Sequence, residues 1–116
     1  MAARRENDRY IDSNSRSSWV VTPAYASSGV IAADTQVKAG PGLLHSVTIS
    51  CNDAAPTAGS VVIYDSLSET GIQVFNHTFT TTPFVPFTLI FDCVMNIGIY
   101  VGFTTTADVN LSVSYL

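Results

Sequence analysis

The sequence predicts an all-β fold, an antiparallel β-sandwich or jelly roll of about seven to nine strands on residues 29–116, behind an extended arm over residues 1–28. Three observations carry this. Runs rich in Val, Ile, Thr, Tyr and Phe recur roughly every ten residues, each closed by a Gly, Pro, Asn or Asp cluster. In the clearest runs apolar and polar residues alternate, which is the period of a half-buried strand. No segment repeats its apolar residues at 3.6 over a useful length, so helix is nearly excluded. At 116 residues the chain is one domain, long enough to enclose a core and too short for two.

The leading residues to about Ser18 are polar, with Tyr10 and Ile11 as exceptions. Such a segment cannot offset its own ordering entropy, so it reads as a tail or as an arm ordered by a partner. Aromatic and arginine side chains are the usual anchors of interfaces. On that ground Arg4, Arg5, Arg9, Tyr10, Ile11, Arg16, Trp19 and Tyr25 are the candidate partner-binding residues. The β pattern begins at Trp19-Val20-Val21-Thr22 and is broken by Pro23; short candidates follow at Gly29–Ala33 and Thr35–Lys38.

Gly40-Pro41-Gly42 then makes a sharp turn, with proline fixing φ and the glycines permitting positive φ. The strand after it places Leu43, His45, Val47, Ile49 and Cys51 on one face and Leu44, Ser46, Thr48 and Ser50 on the other. Residues 52–59 form a loop by composition. Ser60–Asp65 is apolar on both faces, which predicts a central strand or a covered outer face. Ile72–Phe79 follows a turn at 66–71, and Phe84–Cys93 carries Pro86, the mark of an edge or a bulge. Ile99–Phe103 and Asp108–Tyr115 complete the set. The predicted core is Leu43, Val47, Ile49, Val61, Ile63, Phe87, Leu89, Phe91, Ile99, Val101, Val109, Leu111 and Val113.

Composition narrows the function. Charged residues are only 12% and hydrophobic ones 47%, a charge deficit that fits a surface coated with Ser, Thr and Asn or covered by another protein. Four of the five basic residues lie in the first sixteen positions, beside Glu6, Asp8 and Asp12; from residue 17 onward Lys38 stands alone against six acids. A body of that sign repels phosphate, so nucleic-acid binding is not expected. No apolar run follows the basic start as in a secretory signal, and Thr70–Phe91 alternates instead of spanning a membrane. Asn76-His77-Thr78 and Asn110-Leu111-Ser112, which match the glycosylation acceptor pattern, therefore read as chance matches inside strands. Two cysteines, Cys51 and Cys93, are too few for a disulfide framework or a metal cluster; buried free thiols are the first reading and a bridge between them the second.

Chemistry-bearing residues do not form a motif. His45 and His77 have no ligand spacing around them, and no metal or other cofactor is expected. No Gly-x-Ser-x-Gly elbow frames a serine. Asp65 and Glu69 bracket a turn, where an aspartate commonly bonds nearby backbone. Gly40-Pro41-Gly42 leads into a strand and so lacks the helix N-terminus of a phosphate loop. The chain is not expected to be an enzyme.

Lys38–Ile49, Thr57–Asp65, Glu69-Thr70-Gly71 and the run from Gly98–Gly102 to Asp108–Tyr115 together resemble the small β-sandwich virion proteins of tailed bacteriophages. The resemblance covers about residues 30–116. It implies a structural role: a capsid cement or decoration protein on the major capsid protein lattice, as a homo-oligomer (trimer or dimer), on a virion assembled in the host cytoplasm. The alternative is a head-fibre or tail-associated module that reads a host-surface glycan or receptor. No functional residue carries over from the resemblance.

Overall fold

The computed structural model describes residues 24–52, 56, 58–81, 83–104 and 108–116. They form eight strands: β1 Ala26–Ile31, β2 Thr35–Ala39, β3 Gly42–Cys51, β4 Gly59–Asp65, β5 Ile72–Phe79, β6 Phe87–Met95, β7 Gly98–Thr104 and β8 Val109–Tyr115. Every pairing is antiparallel, in two four-stranded sheets of order β1-β8-β3-β6 and β2-β7-β4-β5. Consecutive strands alternate between the sheets in three of the first four steps, and the last strand returns beside the first. This is the eight-stranded jelly roll. The boundaries follow the sequence closely, except that β1 opens at Ala26, inside the predicted arm, and β6 starts only after Pro86. Most of the predicted arm, Trp19-Val20-Val21-Thr22 included, lies outside the described residues.

The core sits between the sheets. Val47, Ile49, Val61, Ile63, Ile99, Val101, Val109, Leu111 and Val113 are buried as predicted, joined by Ile31, Leu44, Phe79 and Met95. Phe87, Leu89 and Phe91 point inward but stay half-buried because β6 is an edge strand. β4 is apolar on both faces for the expected reason: it lies between β7 and β5, and the outward Val62 and Tyr64 are also buried.

Leu43 corrects the predicted core: Leu44 is fully buried and Leu43 only half-buried. The cause is a staggered bulge. Between the ladder positions of Leu44 and Val47, β8 steps from Tyr115 to Val113, β3 passes His45 and Ser46, and β6 runs from Cys93 to Leu89. Each successive strand thus holds one more residue: β3, with two in the gap, reverses the face of its residues N-terminal to the bulge, whereas β8 with one and β6 with three keep their alternation. Asp92, inside the longest of these paths, has φ 47°, a left-handed conformation that aspartate tolerates better than most residues.

Two tight contacts brace the end of the sandwich near the β2–β3, β4–β5 and β6–β7 turns. Asp65 is buried at the end of β4, and its carboxylate accepts the backbone N–H groups of Asn96 at 2.9 Å, Ile97 at 2.8 Å and Gly98 at 3.3 Å. The aspartate therefore secures the β6–β7 turn and not its own, as the sequence had implied. These N–H groups, that of Asn96 foremost, hold its carboxyl below the usual carboxylate range despite the opposing effect of burial. In the β2–β3 turn Gly40 has φ +99°, as the sequence requires. Gly42 is needed for a different reason than predicted, since its φ is not left-handed. A Cβ there would collide with the Leu116 carbonyl oxygen and approach Lys38 Cε to 2.5 Å. That space is filled by the end of the chain, where Leu43 and Leu116 exchange N–H···O bonds of 3.1 and 2.9 Å.

Candidate interaction surface

The outer face of the β1-β8-β3-β6 sheet is built from three cross-strand rows. Leu116, Leu43 and Val94 form the first; Ser114, Ser46 and Ile90 the second; Val30, Ser112, Thr48 and Thr88 the third. Strand alternation puts serines and threonines here, and Thr48 and Thr88 are joined hydroxyl to hydroxyl at 2.9 Å. The apolar members are exposed among the described residues: Val30 is 77% exposed, Val94 68% and Ile90 64%. Among the described residues of these rows and the bulge between them, Asp92 is the one formally charged side chain. Exposed apolar residues grouped on one face with little charge are a feature of surfaces that contact other molecules.

The bulge supplies the one organised cluster on this face. Turning outward, His45 places Nδ1 2.5 Å from Asp92 Oδ1, and the Tyr25 ring stacks on the imidazole with centroids 3.9 Å apart and planes within 6°. Stacking of this kind contributes about 0.5–1.5 kcal/mol beyond area burial. Tyr25 is 40% exposed and lies just before β1, yet its ring rests on β3, two strands in from the edge. A predicted partner-binding residue is thus seated on the chain's own sheet. The other predicted contacts, Arg4, Arg5, Arg9, Tyr10, Ile11, Arg16 and Trp19, lie outside the described residues. His45 is a hydrogen-bonded surface residue and not a member of the apolar face that simple alternation assigned to it.

Chemically this cluster positions an aromatic ring. An aspartate on Nδ1 is how hydrolases orient a catalytic imidazole, but there a serine hydroxyl meets the other ring nitrogen. Among the described residues the imidazole has no hydrogen bond to a serine; its one hydrogen-bond partner is Asp92. Nor do three or more His, Cys, Asp or Glu side chains converge as metal ligands among the described residues. His77 instead packs against Phe75, Phe79 and Phe87 between the sheets.

The thiols are free and half-buried. Cys93 pairs with Leu44, seven positions along β3 from Cys51, a separation of about 23 Å at strand rise. A disulfide needs Cα atoms within about 7 Å, so the bridge is excluded. No helix of the described residues is long and apolar enough to cross a membrane.

The outer face of the other sheet is more polar. One row runs Gln36, Tyr100, Tyr64, Gln73, and Tyr64 and Tyr100 lie 6.4 Å apart by ring centroids. Glu69, from the β4–β5 turn, folds over Gly102, where an added Cβ would come within 2.5 Å of its Oε2. Burial, with the carboxylates of Asp34 and Glu69 nearby, pushes the Tyr100 phenol above the usual tyrosine range. Asp34 itself accepts the Phe103 N–H at 2.7 Å, fastening the β1–β2 loop to β7.

The sequence held no motif for either face. The charge deficit pointed to a surface coated with Ser, Thr and Asn or covered by another protein, and the outer face of the β1-β8-β3-β6 sheet carries serine and threonine rows together with exposed Val30, Ile90 and Val94. Compared with known protein families, with curated proteins and with solved structures, the chain matches none.

Proposed function

We propose that this chain is a bacteriophage virion structural protein, a capsid cement or decoration protein that binds and stabilises the major capsid protein lattice as a homo-oligomer. The observation that carries this reading is the outer face of the β1-β8-β3-β6 sheet, where Val30, Ile90 and Val94 are exposed with little charge among the described residues and the Tyr25 ring is seated on His45. An acidic, lysine-poor jelly roll with such a face is suited to lying against protein, and its arginine-bearing lead segment to gripping an acidic neighbour. Repetition on a closed lattice lets many weak contacts of this kind act together. The likeness of its turns and strands to small virion sandwich proteins supports the same reading.

Deleting residues 1–18 tests it. The truncated chain is expected to keep its strand signature and melting transition while its copy number on purified particles falls at least tenfold. Undiminished attachment of the truncated chain would overturn the role given to the lead segment.

A second reading has its own observation. Tyr100 with Gln36, Gln73 and Glu69 on the opposite sheet resembles the aromatic-plus-polar surface that suits a sugar ring, and supports a head-fibre or tail module that reads a host glycan. Selective glycan-array binding, abolished by Tyr100→Ala, would favour it over the capsid reading.

A further inference from the structure

We propose that two copies of this chain pair through one flank of the sandwich, with the edge strand β6 of one copy antiparallel to β6 of the other about a two-fold axis at Leu89. The inference names an interface for the homo-oligomer proposed above and rests on that part of the reading. On this flank the two sheets end in β5 and β6, and among the described residues neither strand has a neighbour beyond it. Natural sheets rarely leave a nine-residue edge such as β6 bare.

The core reaches the surface here. Five of the six phenylalanines of the chain lie along this flank, and Phe75, Phe84, Phe87 and Phe91 among them are only half-buried. The rings join the two layers across the gap, Phe75 meeting Phe91 at 5.6 Å between centroids and His77 meeting Phe87 at 5.6 Å. Val85, in the connection between the strands, and Ile90 are well exposed beside them.

Charge selects a second copy as the occupant. From Ile72 to Met95 the one formal charge is Asp92, and its carboxylate is already bonded to His45. The other described acids sit elsewhere: Asp34 and Glu69 against β7, Asp65 buried at the β6–β7 turn and Asp108 just before β8. Two copies of an acidic body can therefore meet on this flank without opposing like charges. At strand rise β6 is about 30 Å long, and two layers about 10 Å apart, with their own thickness, make the flank roughly 20 Å wide. That is roughly 600 Å² per partner, the lower end of what specific interfaces bury.

The register follows from the edge itself. Pro86 precedes β6, and the left-handed φ of Asp92 breaks its regular backbone. The unbroken part is Phe87–Phe91, with Leu89 at its centre. A two-fold axis there sets Leu89 against Leu89 of the second copy and Phe87 against Phe91 of the second copy on the inner side. On the outer side Thr88 faces Ile90 of the second copy, twice.

Light scattering and sedimentation of the purified full-length protein at micromolar concentration should give twice the 12.4 kDa of the chain. Thr88→Lys with Ile90→Lys puts two lysine pairs face to face and should weaken the dimer about a hundredfold or more. Thr88→Lys with Ile90→Glu is as polar but sets lysine against glutamate at both places, and should remain dimeric. Thr88 and Ile90 are exposed, so circular dichroism and melting should show both variants folded. A monomeric wild type or a trimer would overturn the proposal. So would a dimer that survives the two lysines, or a folded lysine–glutamate variant that is as monomeric as the double-lysine one. All of this is read on free protein, so its failure is distinct from a failure to attach to particles.

Discussion

Replacing Asp65 removes three hydrogen bonds at once, because Asn96, Ile97 and Gly98 all donate to its carboxylate. A hydrogen bond to a charged acceptor contributes about 1.5–3 kcal/mol, and bonds sharing one carboxylate do not add fully. Asp65→Ala orphans all three N–H groups and should cost about 3–5 kcal/mol. Asp65→Asn keeps one oxygen for Ile97 and Gly98, which share Oδ1, but turns an amide N–H₂ toward the Asn96 N–H. Its cost should be about 2 kcal/mol, which lowers the melting temperature by roughly 8–16 °C in a domain of this size.

The sign of the pH effect follows from the direction of the Asp65 shift. Its folded-state pKa lies below the free value of 3.8, so the unfolded chain takes up the proton first and the carboxylate contributes fully above that value. The contribution disappears as pH falls from 3.8 through the lower pKa of the folded state. Thermal melts by circular dichroism from pH 3 to 7 would show the wild type and Asp65→Asn converging at the acid end. A melting temperature for Asp65→Asn within about 2 °C of wild type at pH 7 would refute the assigned bonds. So would a gap that stays constant down to pH 3.

The bulge and the β2–β3 turn make further predictions. Leu44→Ala should cost about 2–5 kcal/mol and Leu43→Ala under about 1.5, measured by urea unfolding; equal costs would mean that the strand runs without a bulge. Gly42→Val should displace the last residue from β3 and destabilise the fold even though its φ suits any residue. Gly40→Ala should cost about 1–2 kcal/mol from its left-handed φ alone. Hydrogen exchange separates the two. Loss of protection at Leu116 is expected for Gly42→Val and not for Gly40→Ala, and its absence in Gly42→Val would count against the close approach.

Most of the strand plan was legible because alternation and turn residues are local signals. Ile72–Phe79 matches its predicted bounds, and the apolar residues on both faces of Ser60–Asp65 imply a central strand or a covered outer face, of which the central position is the one found. The face of Leu43 and Leu44 was not legible, since both are leucine and either parity buries one. What decides between them is the pairing of β3 with two strands that bring different numbers of residues to the same gap, and this depends on Asp92 more than 40 positions away. The partners of Asp65 were hidden for a similar reason: its acceptor oxygens are satisfied by a turn 31–33 residues downstream. The seat of Tyr25 on His45 joins two residues with no common periodicity, so no pattern in the sequence marks it.

The functional account stands on one central claim, that this jelly roll is a component laid on a protein shell and attached through its lead segment. Its copy number in gradient-purified particles, measured against the main shell protein with full-length chain and with residues 1–18 deleted, tests that claim most directly. The account predicts a fixed whole-number ratio for the full chain and at least a tenfold loss for the truncated one. A full-length chain that stays free of the particles would contradict it.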